Sequence, residues 1–143
     1  MPRRPEEAKE LLPSVKRMSE QLGLRMIKPP FIPCTRPALE AAEYAKEHGS
    51  FEQFHLAVFK AYLEDGKNIG LRSILRDIAE RCGLDADELE VCLDEGRYAE
   101  RINIQNKEAR ELGLSVIPSY IIGRHLIEGA RPYEIFQSVM TRV

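Results

Sequence analysis

The chain has 143 residues, of which 43% are hydrophobic and 31% charged, the size and balance of one ordinary globular domain with a core of its own. Twenty-one basic and 23 acidic side chains give a formal charge of -2, and no basic block interleaved with aromatics stands out, so no nucleic-acid footprint is indicated. The charged opening MPRRPEE has no apolar segment behind it and no run approaches the ~18 apolar residues of a membrane span, which makes a cytoplasmic location the default expectation and a membrane partner an unsupported one.

The element signals are mostly helical. Pro5 opens a first turn, and Ala8, Leu11, Val15, Met18 and Leu22 follow at helical spacing to Gly23, with Pro13 expected to kink or divide the run. Leu24 to Ile27 is a candidate short strand, and the prolines at 29, 30 and 33 make the next segment a loop. Pro37 opens an alanine-rich helix to His48, ended by Gly49. SFEQ at 50–53 reads as a capping box, with Ser50 as N-cap and Gln53 reaching back to it. The helix behind it, to about Asp65, is apolar on most sides and is expected in the middle of the helical core.

Leu71, Ile74, Leu75, Ile78 and Cys82 form one stripe, placing Cys82 in the core, and Gly83 ends that helix. LDADEL at 84–89 carries a capping box, Asp85 with Glu88, and a hydrophobic staple, Leu84 with Leu89. Beyond Gly96 another helix carries Tyr98, Ile102, Ala109 and Leu112 to Gly113. SYII, the Gly123-Arg124 turn and HLIEGA read as a hairpin, and Pro132 starts a last helix with Ile135, Phe136, Val139 and Met140 inward. The total is about seven helices and two or three strands.

Few residue types suggest chemistry. Cys34, Cys82 and Cys92 include no CxxC pair, which argues against a disulfide framework or a zinc ribbon, and His48, His55 and His125 are too scattered for a ligand set, so no metal is expected. His55, between Phe54 and Leu56, is expected as a hydrogen-bonded core or boundary residue, His125 as a hairpin residue and Cys92 as packing. Charges such as Glu43/Lys46/Glu47 and Arg72/Arg76/Glu80 read as solvated helix faces with weak pair energies. Pro118 stands at the start of a strand. On the residues alone it is either the first residue of an edge strand or the site of a cis peptide bond.

The run from Gly113 to Phe136, GLSVIPSYIIGRHLIEGARPYEIF, resembles the C-terminal end of the DsbA-like thioredoxin-fold family, in the branch of FrnE-type oxidoreductases, 2-hydroxychromene-2-carboxylate isomerases and kappa-class glutathione transferases. Thr35-Arg36 with ALEAAEYAKEHG, then FEQFHLAVFKAYLEDGKNIG, LRDIAERCGLD and EGRYAERI, resemble that family's helical insertion. The resemblance implies an α+β, mostly helical fold: a single DsbA-like domain over 1–143 with a helical insertion at about 35–112, then a thioredoxin-like β-hairpin and terminal helix over 113–143. It implies that Pro118 is the family's cis-proline and that Val116, Ile117 and Pro118 bind substrate, Ile117 by its backbone. The substrate is then a thiol or disulfide, a peptide or glutathione, with no other cofactor.

Two departures matter. Relatives commonly have Gly-Val-Pro where this chain has Val116-Ile117-Pro118, and a β-branched residue narrows the backbone conformations available there. Relatives also begin with a strand leading to a helix whose N-terminus carries a CxxC, or a serine in the glutathione-dependent branches; this sequence has neither. The expectation is a chain that is N-terminally incomplete or inactive as a thiol-disulfide oxidoreductase, with no catalytic residue assigned and Cys34, just before a helix, as the one candidate thiol. The alternatives are a glutathione-dependent isomerase or transferase and a non-catalytic binding module. A thioredoxin sheet left without its first strands is expected to associate, as a homodimer or with a complementing partner chain.

Overall fold

The computed structural model describes residues 13–29 and 31–143, which fall into two compact units divided after Ile102. The expected helix start at Pro5, with Ala8 and Leu11, lies outside the described residues.

The first unit is helical. α1 (Pro13–Gln21) begins its described course at Pro13 and buries only Ser19, whose hydroxyl donates to the Lys16 carbonyl; Met18 and Leu22 are exposed. The strand expected at Leu24 to Ile27 is not formed. The Leu24 N–H closes the end of α1 on the Ser19 carbonyl at 2.8 Å, and beyond that one backbone bond, from the Ile27 N–H to the Leu63 carbonyl at 2.7 Å, ties the segment to another element; a lone bond is not a ladder.

α2 (Arg36–Glu47) is the centre of the unit. Ala38, Ala41 and Ala45 let α3 (Phe51–Leu63), α4 (Arg72–Arg81) and α5 (Ala86–Asp94) approach it closely, and Tyr44 is fully buried among them. α3 was expected in that place and is peripheral: it buries Phe54 and Ala61, while Leu56 is 70% exposed and Phe59 half-exposed. A helix offers one apolar stripe to one core, and large side chains on its other faces have nowhere to be buried. Ser50 is the N-cap of α3 but makes no side-chain capping bond, so the capping box expected there is absent.

α4 packs most of the stripe read from the sequence, with Leu75 and Ile78 fully buried, Ile74 partly buried and Cys82 in the core at its C-cap; Leu71, expected on the same stripe, is the N-cap and is exposed, because the helix turns inward only after it. At the start of α5 the Asp85 carboxylate accepts from the Asp87 and Glu88 backbone N–H groups, both at 3.0 Å, and Leu84 and Leu89 are buried beside it. Glu88 does not return the bond. Its carboxylate accepts instead from the Tyr44 hydroxyl at 3.1 Å, so half the box is spent on joining α2 to α5. α6 (Ala99–Glu111) starts in this unit with Tyr98 and Ile102 buried; Leu112, past its end, is exposed.

In the second unit β1 (Ser119–Ile122) pairs antiparallel with β2 (His125–Glu128) across Gly123-Arg124. Gly123 has φ +59° and Arg124 a negative φ, the combination of a II′ hairpin turn, which suits the strand twist and favours glycine at its first position. α7 (Tyr133–Met140) follows, with Phe136 edge-on to Tyr120 at 5.0 Å between centroids. Ile135 and Met140, expected inward, are exposed; Ile127 is the one buried apolar residue among the described residues of this unit's hairpin and terminal helix. The described chain thus has seven helices and two strands.

Candidate functional site

The hairpin register fixes what its edges offer. The Gly129 N–H donates to the Pro118 carbonyl at 2.7 Å, and pairs alternate from there, so Tyr120 and Ile127 exchange bonds while Ser119 and Ile121 turn their backbone groups away from β2. Those of Ser119 and Ile121 have no partner among the described residues. The opposite edge is partly closed, because the Glu128 carbonyl accepts from Arg131 Nε at 2.9 Å. β1 is therefore the receptive edge.

Immediately before that edge lies Val116-Ile117-Pro118. The Ile117–Pro118 peptide bond is cis. Ile117 is 94% exposed, and its backbone makes no hydrogen bond among the described residues. Val116 is exposed too, its carbonyl held by the Ser119 hydroxyl, which orients the segment from below. Beside it is an open cavity of about 340 Å³ lined by Asn106, Arg110, Leu114, Ser115, Val116 and Ile117, among others. The three residues proposed from the sequence thus stand together on one surface. Asn106 and Arg110 were missed, although their four-residue spacing on α6 puts them on one helix face.

Cys34 belongs to the other unit. It is exposed in the loop before α2, with Thr35 as an N-cap that makes no side-chain capping bond. Its backbone is pressed against Gly70: a Cβ built there would sit 2.8 Å from the Cys34 carbonyl oxygen and 3.3 Å from its nitrogen. Cys82 and Cys92 are buried, and loss of solvation pushes both thiols above their ordinary pKa, the opposite of activation. No described Cys, His, Asp and Glu residues group as metal ligands.

His55 and part of the charge pattern differ from expectation, whereas His125 stands in the hairpin as expected. His55 is exposed and its ring has no hydrogen bond among the described residues; it stacks on Phe51 at 4.9 Å and stands edge-on to Phe59 at 4.8 Å. Glu43 is not a solvated residue: it is buried and accepts from Arg101 at 3.1 Å, while Arg101 also reaches Glu47 at 2.8 Å. Tyr98 donates to Glu47 at 2.7 Å, and this bond, then Arg101, holds the Glu47 carboxyl below its ordinary pKa. Burial, followed by the Glu47 bond, pushes the Tyr98 phenol up. These groups fasten α2 to the start of α6.

A proline-led hairpin followed by a short helix, in a chain otherwise made of a helical unit, is the arrangement of thioredoxin-like proteins with a helical insertion. The chain belongs to the DSBA-like thioredoxin domain family, whose model matches residues 1–141. It is 30% identical over 131 residues to the uncharacterized protein YwbO of Bacillus subtilis (strain 168), covering 90% of this chain and 66% of that one. Among solved structures, the "probable DsbA oxidoreductase SCO1869" of Streptomyces coelicolor superposes with a TM-score of 0.82 at 24% identity, over 90% of this chain and 57% of that one. A 2-hydroxychromene-2-carboxylate isomerase gives 0.77 at 20% identity, over 90% and 63%. The chain therefore spans somewhat under two thirds of the length of these relatives, and at such identities the two structures speak for the fold. No helix among the described residues is long and apolar enough to cross a membrane.

Proposed function

We propose that this chain is the substrate-binding and helical part of a DsbA-like thiol-disulfide oxidoreductase, one whose redox dithiol is not found among its own three cysteines. One observation carries the reading: the Ile117 peptide is bare to solvent and runs directly into the open edge of β1. An extended peptide laid on such an edge gains main-chain hydrogen bonds, and pockets beside the edge read its side chains. Family membership supports a thiol or disulfide as the group presented there. Exchange at a disulfide needs an attacking thiolate and a resolving one, and Cys34, Cys82 and Cys92 stand on separate elements, two of them buried. On this reading the β1 edge also accommodates a complementing strand or a second copy of the chain.

The test is purified residues 1–143, alone, as Cys34→Ser and with all three cysteines replaced, in insulin reduction and in oxidative refolding. The expected result is turnover no faster than free thiol, together with a shift of the Ile117 and Ser119 amide resonances on adding an extended peptide disulfide. Turnover lost on Cys34→Ser would make Cys34 the catalytic thiol. Turnover kept without cysteines, or dependent on glutathione, would move the protein to the isomerase or transferase chemistry of the same superfamily.

A further inference from the structure

The cavity beside Ile117 carries an unbalanced charge. Asn106 and Arg110 lie one turn apart on α6 and line it together with Ser115 and Ser119, and no aspartate or glutamate is among its lining residues. Several arginines elsewhere are engaged, Arg76 with Glu80 and Glu90, Arg97 with Glu95, Arg101 with Glu43 and Glu47. The Arg110 side chain has no ion pair or hydrogen bond among the described residues, and the adjacent Glu111 is taken by Lys107 at 3.7 Å. A guanidinium stays protonated at any working pH and presents a planar fork that fits a carboxylate. Its position in the last turn of α6 matters as well. The C-terminal carbonyls of a helix repel anions, so without Arg110 the cavity would favour neutral or cationic groups.

We propose that the Ile117 edge selects acidic peptides, with Arg110 as the specificity-determining residue that receives a carboxylate flanking the residue paired with Ile117, and Asn106 and Ser115 as further donors. The proposal rests on reading that edge as a substrate platform. It names the class of substrate the platform prefers.

Two probes separate the claims. Both are pentapeptides, acetylated and amidated, with a central cysteine capped as its methyl disulfide; one has glutamates on both sides of it and the other glutamines. Binding is followed by backbone amide shifts of the intact chain at low and at ~0.5 M salt. The glutamate peptide should bind about three- to fivefold more tightly than the glutamine peptide, the effect of one exposed but oriented ion pair, and high salt should shrink the ratio. Arg110→Gln should bring the ratio to one or below, Arg110→Lys should leave part of it, and Arg124→Gln, in the hairpin turn, should leave it intact. A ratio unchanged in Arg110→Gln, one lowered equally by Arg124→Gln, or no binding of either peptide overturns the proposal. Shifts at Ile117 without charge discrimination overturn it and spare the platform. Discrimination that depends on Arg110 with Ile117 unshifted upholds the anion preference and overturns the platform.

Discussion

Two serine- or aspartate-led helix starts in this chain look alike on paper and should behave differently when cut back to alanine. At α5 the Asp85 carboxylate accepts from two backbone N–H groups, each at 3.0 Å, and sits at the positive end of the helix. Losing such a cap costs about 1–2 kcal/mol, the upper part of that range applying to a charged acceptor. At α3 the Ser50 side chain makes no capping bond, so Ser50→Ala should fall within about 0.5 kcal/mol of the wild type. Alanine at 85 keeps the backbone carbonyl that the Tyr44 hydroxyl bonds at 3.1 Å, so the comparison isolates the side chain. With a urea slope of ~2 kcal/mol per molar, Asp85→Ala should lower the unfolding midpoint by about 0.5–1 M and Ser50→Ala by less than ~0.25 M, read by circular dichroism at unchanged slope. Equal losses in the two variants would refute the account of both helix starts.

Phe54 is fully buried and should cost about 3–5 kcal/mol as Phe54→Ala in the same titration, whereas Leu56→Ala, on the exposed side of α3, should be nearly silent. A thiol reagent such as DTNB should modify one cysteine quickly in the native protein, Cys34, with Cys82 and Cys92 reacting only on unfolding; two fast thiols would contradict their burial. Glu47 has a depressed pKa in the folded chain, so its contribution is present above the ordinary value of 4.5 and is lost as pH falls through the lower folded value. Melting temperatures between pH 6 and pH 3 should therefore fall less steeply in Tyr98→Phe than in the wild type, and parallel curves would remove Glu47 from the acid response. The open β1 edge and the exposed Ile121 and Leu126 beside it should make the chain associate, less so as Ile121→Lys; light scattering that finds a compact monomer across a dilution series would sink that expectation.

What the sequence made legible was local. The α4 stripe, the Asp85 cap and the hairpin with its Gly123-Arg124 turn all depend on residues within a few positions of one another, and spacing reports such arrangements directly. What it hid depends on distant partners. Nothing near Glu43 in the chain announces Arg101, 58 residues away, and Glu88 could not be read as a Tyr44 partner while its local capping role was available. Leu24 to Ile27 had strand-like composition, but a strand requires a neighbour, and one bond to Leu63 does not supply it. At the candidate site, Val116, Ile117 and Pro118 were singled out by the proline together with the family resemblance, whereas Asn106 and Arg110 belong to a helix whose periodicity says which residues share a face and not what that face adjoins.

Eight of the nine glycines have positive φ, where a side chain would be strained by the backbone alone. Gly70 is the ninth, and its backbone is ordinary; the hydrogen at its α-carbon is there because the Cys34 carbonyl occupies the space a methyl would need. The consequence is a remote handle on the one exposed thiol. Gly70→Ala leaves Cys34 and every covalent bond near it untouched, yet the peptide on either side of that cysteine must yield by several tenths of an ångström. The loop carrying Cys34 and the loop entering α4, more than thirty residues apart in the chain, are thus a matched pair: a change of residue in one is a change of shape in the other.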